Sequence, residues 1–215
     1  MQQEPTDYVI EVHSTWEEVS EPEWDALWAQ QALPTPFMRH AYLASLQASG
    51  SATAETGWDL RVLCLRHQGQ LLAACPLYLK THSYGEYVFD WAWADAYRRN
   101  GHEYYPKLLS AIPFTPVTGA RLMARTDDAR AALLKALLDV QQASALSSTH
   151  ILYPPADQAL QLETAGFMLR SGVQFHWQNK GYANFEQFLD TLDQKKRKNI
   201  RAERRKVRDA GIILR

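Results

Sequence analysis

The sequence predicts a mixed α/β fold in which a largely antiparallel central sheet is flanked by helices. Helical and strand-like segments alternate along most of the 215 residues, and apolar residues make up 46% of the chain, enough for a substantial core. Two β-rich runs in the middle, residues 58–66 and 70–80, are separated by the turn His67-Gln68-Gly69 and read as an antiparallel hairpin. These observations favour one mixed domain over a purely parallel sheet.

The first elements follow from capping signals. Residues 8–13 alternate as a short strand does, and Ser20-x-x-Glu23 with Pro22 in the first turn begins a helix that buries Trp24 and Leu27. A second helix is expected after residue 35, where a threonine cap precedes a proline. Pro76 lies within the second hairpin strand and cannot donate a backbone hydrogen bond, so the sequence predicts a bulge or an edge there.

The remaining elements are assigned from periodicity and from turn residues. Residues 86–99 are predicted to be helical, with Asn100-Gly101 as the stop, and residues 104–112 to form another short helix. Strands are predicted over 121–124 and 150–153, and helices over the amphipathic run that Thr126 caps and over 156–165. Strands are also predicted over 167–170 and 173–178. In the latter, Val173, Phe175 and Trp177 are expected to form a buried face.

Composition narrows the classes of protein to consider. Without a run of about 18 apolar residues or a secretion signal, the sequence predicts no membrane span and a cytoplasmic location. Cys64 and Cys75 lie in apolar runs without metal-ligand spacing, so reduced, buried thiols are expected. His82, Glu86 and Asp90 are spaced to share a helix face, yet capping or ordinary hydrogen bonding explains them equally well, and no metal site is predicted.

Residues 81–107 are the most unusual stretch, because aromatic rings alternate with titratable groups. Rigid rings beside a few polar groups are typical of a concave binding site, so this stretch is expected to pack against the hairpin ends and line the main pocket. An amphipathic helix with its rings facing the core remains the alternative. The candidate site residues of this stretch are His82, Tyr84, Glu86, Asp90, Trp93, Tyr97, Tyr104, Tyr105 and Lys107.

A basic segment is the second strong signal. Residues 195–208 contain nine Lys and Arg in fourteen positions, while the chain as a whole has a net charge of −1. On a helix, four arginines would form a single row that suits phosphate groups, because guanidinium groups bind oxyanions bidentately. A solvated helix that balances an acidic body is the alternative. The row comprises Arg197, Arg201, Arg204 and Arg208, with Lys198 and Arg205 beside it.

The motifs SYGEYVFDWAWADAY, HEYYPKLLSAIPFTPVTGARL and FxxFLxxLxxKKRKNIRxERRKVxxAGI together resemble the FemAB-like predicted N-acyltransferases, often labelled peptidoglycan biosynthesis or recognition proteins. The resemblance implies a GNAT-like domain over residues 1–182 and a basic helical segment over 183–215. It also implies that the chain is the N-terminal half of a two-domain protein. The glycine-rich pyrophosphate loop of ordinary GNAT enzymes is not present, which argues against acyl-CoA binding by this half.

The resemblance implies an N-acyltransferase, incomplete in this chain, that joins an acyl or aminoacyl group to an amine, such as that of a peptidoglycan precursor. No cofactor is predicted, and acyl-CoA or aminoacyl-tRNA would be the donor substrate. We assign Glu86 or Asp90 as the base, Tyr84 or Tyr104 as the acid or oxyanion group, and Lys107 with the arginine row as phosphate clamps. The other hypothesis is a non-catalytic module that binds RNA or a phosphate-bearing precursor. DNA is not an expected partner, whereas peripheral contact with a lipid-linked precursor is.

Overall fold

The computed structural model describes residues 7–144 and 146–212. Contacts divide the chain into two compact units, one ending at Leu169 and the other beginning at Arg170. The sequence placed this boundary later, after residue 182.

The first unit contains most of the regular structure. Its elements are β1 (Val9–His13), α1 (Glu21–Ala29), α2 (His40–Ala48), β2 (Trp58–Leu60), β3 (Val62–His67), β4 (Gln70–Cys75), β5 (Tyr78–Lys80), α3 (Trp91–Arg99), β6 (Lys107–Ser110), β7 (Met123–Ala124), α4 (Asp127–Ala143), β8 (Thr149–Ile151) and α5 (Ala156–Thr164). The second unit contains α6 (Phe185–Asp190) and α7 (Gln194–Asp209). The mixed, largely antiparallel α/β class predicted from the sequence is confirmed.

The strands form two four-stranded sheets rather than one. The first has the order β1-β3-β4-β7 and is antiparallel throughout, and the second has the order β2-β5-β6-β8. In the second sheet only the β6–β8 pair is parallel. The predicted hairpin is confirmed, because β3 pairs antiparallel with β4 and β2 with β5.

Both sheets originate from the same hairpin, because each of its long strands is interrupted once. Arg61 separates β2 from β3, and Pro76 and Leu77 separate β4 from β5. The Arg61 N–H donates to the Leu77 carbonyl at 2.7 Å, which holds the hairpin together across the interruption. The irregularity that Pro76 predicts therefore marks the point where one sheet ends and the other begins.

The hairpin also separates two hydrophobic cores. Alternate residues of β3 point to opposite faces, so that Val62 and Cys64 belong to one buried cluster and Leu63 and Leu65 to the other. The first cluster includes Trp24 and other residues of α1 and α2, and the second includes the apolar stripe of α4. Both cysteines are buried free thiols, as predicted.

Two segments adopt a different conformation from the one predicted. Residues 86–90 are not helical, and α3 begins only at Trp91. Residues 104–112 contain strand β6 instead of a helix, because β6 pairs with β5 on one side and with β8 on the other. In both places tertiary contacts override a local helical preference.

The predicted strands over 167–170 and 173–178 are not formed in the part of the chain that the structure describes. Val173, Phe175 and Trp177 are 81%, 97% and 65% exposed, so the expected buried face is wrong. Alternation marks a strand only when a neighbouring strand can pair with it and a second layer can cover one of its faces.

Candidate acid–base site and basic helix

The candidate site is built on a pair of opposed lysines. Lys80 in β5 and Lys107 in β6 are direct cross-strand partners, so their side chains project from the same face of the sheet. Both residues are 0% exposed. Buried ammonium groups are rare in protein interiors unless they are paired, so each of these lysines needs a partner for its charge.

Lys107 forms ion pairs with both nearby carboxylates. Its Nζ lies 2.9 Å from Glu86 Oε2 and 2.5 Å from Asp90 Oδ2, and both of those side chains are fully buried as well. Lys107 therefore forms ion pairs with two internal carboxylates, and it does not face the solvent as a phosphate clamp would.

Lys80 has weaker partners. Its Nζ donates to the Tyr84 carbonyl at 3.3 Å and lies 3.7 Å from the centroid of the Trp58 ring. Burial lowers the pKa of Lys80 to about 8, against the smaller opposing effect of the Glu86 carboxylate. Burial also raises the pKa of Glu86, whose Oε1 has no hydrogen-bond partner among the described residues.

A hydrogen-bonded chain leads from this ion pair towards the surface. The Tyr104 hydroxyl donates to Asp90 Oδ2 at 3.0 Å and lies 3.2 Å from His150 Nε2. The same imidazole nitrogen lies 2.9 Å from Ser148 Oγ, and the other, Nδ1, lies 3.9 Å from Asp90 Oδ2. The His150 side chain is 19% exposed, whereas Asp90 is fully buried. A solute can therefore reach His150, whereas it cannot reach Asp90.

Burial, reinforced by the neighbouring Asp90 carboxylate, raises the pKa of Tyr104 well above its ordinary value. Tyr104 therefore stays protonated at neutral pH and acts as a hydrogen-bond donor. A tyrosinate base at this position is excluded over the physiological range.

Sequence reasoning did not select His150. It lies in the predicted strand over 150–153, and a single histidine in a short strand is indistinguishable from an ordinary structural one. The parallel pairing of β8 with β6 places His150 opposite Leu109, two residues from Lys107 along β6. No local sequence pattern indicates this pairing, because β6 and β8 are separated by a long stretch of chain that includes α4.

The other candidates of the aromatic stretch lie at the edge of this cluster. Tyr105 OH is 2.6 Å from Ser83 Oγ, and the His82 and Tyr84 rings meet edge to face at 5.1 Å. Burial, followed by the charge of nearby Lys80, lowers the pKa of His82. Tyr84 is 64% exposed and is separate from the buried acid–base groups.

A shallow groove of about 220 Å³ lies on the exposed side of α3. Trp93, Tyr97 and His102 line it together with Ala96 and Asn100. The Tyr97 ring meets the Tyr104 ring edge to face at 5.1 Å, so one aromatic contact separates the groove from the acid–base chain. A larger groove of about 510 Å³ lies in the second unit, around Trp177, Tyr182 and Phe188. Residues 81–107 thus contribute Trp93, Tyr97 and His102 to the smaller of these two grooves, and it stays a prediction that this stretch lines the main pocket.

The basic helix is present, but most of its predicted arginine row contacts the second unit itself. Arg197 donates to the carbonyls of Asp190 and Leu192, at 3.3 and 2.7 Å. Arg201 pairs with Glu186 at 2.5 Å.

The next member of the row, Arg204, lies 4.3 Å from the centroid of the Phe185 ring. Arg208 contacts its neighbour Asp209 at 3.4 Å. Lys198 and Arg205 are exposed on the same helix, so they are better placed than Arg197, Arg201 and Arg204 to meet a phosphate.

Neither a metal cluster nor a membrane span occurs in the described part of the chain. Within residues 7–144 and 146–212, no group of three or more His, Cys, Asp or Glu side chains is arranged to hold a metal ion. Over the same residues, no helix has the length and apolar character needed to cross a membrane.

The solved structures that this chain resembles include three acetyltransferases with low sequence identity. The aminoglycoside N-acetyltransferase AAC(6')-Iy in complex with CoA is 12% identical, with 80% of this chain and 94% of that chain covered and a TM-score of 0.47. A ribosomal-protein-alanine N-acetyltransferase from Brucella melitensis biovar Abortus 2308 is 13% identical, covers 80% and 99%, and has a TM-score of 0.44. An aminoglycoside acetyltransferase from an uncultured soil metagenomic sample, in complex with trehalose, is 10% identical, covers 83% and 100%, and has a TM-score of 0.45.

Comparison with curated protein sequences gives no match. The FemAB-like family model, whose description is peptidoglycan biosynthesis/recognition, matches residues 15–215, which is nearly the whole chain. The chain therefore belongs to the FemAB-like peptidoglycan biosynthesis/recognition family.

Proposed function

We propose that this protein takes part in N-acyl transfer, in which an activated acyl or aminoacyl group moves to an amine, with the amine of a peptidoglycan precursor as the candidate acceptor. The observation that carries the proposal is the chain of contacts from Lys107 through Asp90 and Tyr104 to His150. It joins a buried ion pair to an imidazole that a substrate can reach. Family membership is consistent with this chemistry.

The reaction requires a group that removes a proton from the acceptor. An amine is protonated at neutral pH, and it becomes a nucleophile only after a base takes one proton. His150 is the base in this proposal: a ring nitrogen accepts the ammonium proton, and the Asp90 carboxylate stabilises the imidazolium that forms. The free amine then attacks the acyl carbon, and the bond to the leaving group breaks as the tetrahedral intermediate collapses. The imidazolium returns its proton to the leaving group, and the second proton that the nitrogen loses in becoming an amide passes to the solvent.

The buried residues orient His150 and do not touch the substrate. Tyr104 stays protonated and donates to Asp90, which fixes the carboxylate oxygen beside the imidazole. Lys107 provides the counterion that a buried carboxylate such as Asp90 needs. Glu86 and Asp90, predicted as bases from the sequence, act in this proposal as positioning residues, because neither side chain reaches the solvent.

The test is an acyl-transfer assay with two donor classes, an acyl thioester of CoA and an aminoacyl-tRNA, and with a peptidoglycan-precursor peptide that carries a free amine. The variants are His150→Gln and, as a matched control, His176→Gln, which changes an exposed histidine of the second unit. We expect transfer to fall about 100-fold or more in the first variant, as is typical when a general base is removed, and to be unchanged in the second. Equal activity of wild type and His150→Gln would contradict the assignment.

The second candidate function is a non-catalytic module that binds RNA or a phosphate-bearing cell-wall precursor. The observation that favours it is the exposure of Lys198 and Arg205 on α7, a helix that carries nine basic residues over 195–208. Binding of such an anion without transfer from either donor class would favour this function over catalysis.

A further inference from the structure

Residues 83–93 have an inverted pattern of burial. The polar residues Ser83, Glu86 and Asp90 are 1%, 3% and 0% exposed. The rings between and after them point outward and are 46% to 64% exposed. These outward rings belong to Tyr84, Tyr87, Phe89, Trp91 and Trp93. Folding ordinarily buries rings and leaves carboxylates in water, so a segment that does the opposite requires a partner for its rings.

The exposed rings are held in place by contacts of the segment's backbone. The Lys80 ammonium and the Phe114 N–H donate to the carbonyls of Tyr84 and Gly85, at 3.3 and 3.0 Å. The Tyr153 hydroxyl donates to the Tyr87 carbonyl at 3.2 Å. Several contacts from inside the domain therefore fix a surface whose outer side is aromatic, and the surface is preorganised for a partner.

The shape and the charge of this surface fit a lipid bilayer. The groove beside it, on α3, is shallow and has a volume of about 220 Å³, below the range of about 300–1,000 Å³ that is usual for enclosed ligand sites. The two acidic residues of the segment are both buried against Lys107, so the exposed side of residues 84–93 presents no anionic group to lipid phosphates.

The residues that follow also suit the interface between lipid and water. Arg98 and Arg99 near the end of α3 have side chains that are 80% and 70% exposed, and both pair with Asp95. Long basic side chains beside an aromatic surface can extend to the phosphates of lipid headgroups. Trp and Tyr combine an apolar ring with a polar tip and are the residue types enriched at membrane interfaces.

We propose that residues 84–93 form a membrane-contact surface, which inserts its aromatic rings into the interfacial region of a phospholipid bilayer while Arg98 and Arg99 contact lipid phosphates. The protein would then bind peripherally, with the α3 groove and the acid–base chain held close to the lipid headgroups. The inference does not depend on catalysis, and it holds for a recognition module as well.

Flotation with vesicles tests the proposal. Vesicles of phosphatidylcholine, alone and mixed with phosphatidylglycerol, are incubated with wild type and with a Phe89→Ser/Trp91→Ser variant, neither position belonging to the acid–base chain. Phe175→Ser is the matched control, because it removes a ring that is 97% exposed in the second unit. We expect wild type to float with both vesicle types and the partitioning of the double variant to fall at least about tenfold, since binding scales with the apolar area inserted. Phe175→Ser should float as wild type does.

Two outcomes would overturn the proposal. One is a wild-type protein that stays with neither vesicle type, and the other is an equal loss in Phe175→Ser, which would indicate unspecific aromatic adhesion. Retention of wild type on an insoluble neutral glycan, without vesicle binding, would assign the rings to sugar stacking instead. Thermal unfolding checks that the double variant is folded. With brominated lipids, quenching of tryptophan fluorescence that decreases in a Trp91→Phe variant would place this ring within the interface.

Discussion

Lys80 and Lys107 face each other across β5 and β6, both are completely buried, and Lys107 makes the ion pairs with the two nearby carboxylates. Like charges that lie directly opposite in a sheet destabilise it. The arrangement therefore gives the two lysines opposite effects on the folded state. Lys107 compensates two buried anions, whereas the charged form of Lys80 is a cost.

Lys107→Met should destabilise the protein strongly, because it leaves two buried carboxylates without their counterion. Breaking a buried pair in this way typically costs about 3–5 kcal/mol. Lys135→Met is the control, since the Lys135–Asp139 pair is exposed and should contribute no more than about 1 kcal/mol. Urea unfolding measures both. Similar midpoints for the two variants would mean that the carboxylates take up protons and become neutral without cost.

Lys80→Met should stabilise the protein at neutral pH. The folded chain binds the Lys80 proton more weakly than the unfolded chain does, with a pKa of about 8 against 10.5. Below pH 8 the full cost of burying the ammonium group is present, and it disappears as the pH rises from 8 to 10.5. The free energy of unfolding of Lys80→Met should thus exceed that of wild type by up to about 3 kcal/mol at pH 7, and this difference should shrink above pH 8. Unfolding free energies of both proteins across this range provide the measurement, and a constant difference would contradict the shifted pKa.

Tyr104→Phe should destabilise the domain, and it should also impair proton transfer at His150. Loss of the hydroxyl leaves a buried acceptor on Asp90 with one partner fewer, at a cost of about 1–3 kcal/mol. Tyr87→Phe changes an exposed ring and should cost little. In a transfer assay the effects of Tyr104→Phe and His150→Gln should be non-additive, because both residues belong to one hydrogen-bonded chain. Independent effects would show that Tyr104 does not act through His150.

Lys198→Ala/Arg205→Ala should weaken the binding of an anionic polymer such as RNA. It should also make binding less sensitive to salt: the slope of log K against log salt concentration should become shallower by roughly 0.7 for each phosphate that the helix no longer neutralises. Stability should hardly change, since exposed charges contribute about 0–1 kcal/mol each. Arg201→Ala serves as the comparison, because it removes an ion pair with Glu186 inside the second unit. Binding titrations at two salt concentrations decide the matter. An unchanged slope in the double variant would remove α7 as a phosphate-binding surface.

Acetyl-CoA should not bind to this chain at micromolar concentrations. The start of α4, which follows β7, is occupied by the Thr126 cap and carries Asp127 and Asp128 in its first turn. These carboxylates oppose the binding of a pyrophosphate at the helix N-terminus. Calorimetry with acetyl-CoA provides the test, and a micromolar Kd would show that the pyrophosphate has another cradle.

Sequence information was sufficient where the determinants are local. The turn at His67-Gln68-Gly69 and the apolar runs around it define the hairpin, and the Thr126 cap with a clean apolar stripe defines α4. Pro76 marked the interruption of the hairpin because proline lacks the N–H that a sheet needs. Each of these features is determined by residues that lie close together in the sequence.

Prediction was less successful where distant residues decide the conformation. Glu86 and Asp90 fit a helical pattern, but their shared counterion Lys107 lies in β6, a strand that no local pattern predicts. Residues 107–110 form a strand because β5 and β8 lie on either side. For the same reason His150 was not among the predicted site residues, because its neighbours Tyr104 and Asp90 are remote from it in the sequence. The grouping of Glu86, Asp90, Tyr104 and Lys107 in one stretch was nevertheless visible, because all four come from residues 81–107.

The hairpin that separates the two cores makes the domain sensitive to changes in chain length. Val62 and Cys64 contact one core, while Leu63 and Leu65 contact the other. Inserting or deleting one residue in β3 would shift the strand by one position and exchange the side chains that the two cores receive. Large and small residues would then be mismatched on both faces at once. The length of β3 is therefore fixed by both cores together, and this strand must evolve by substitution alone.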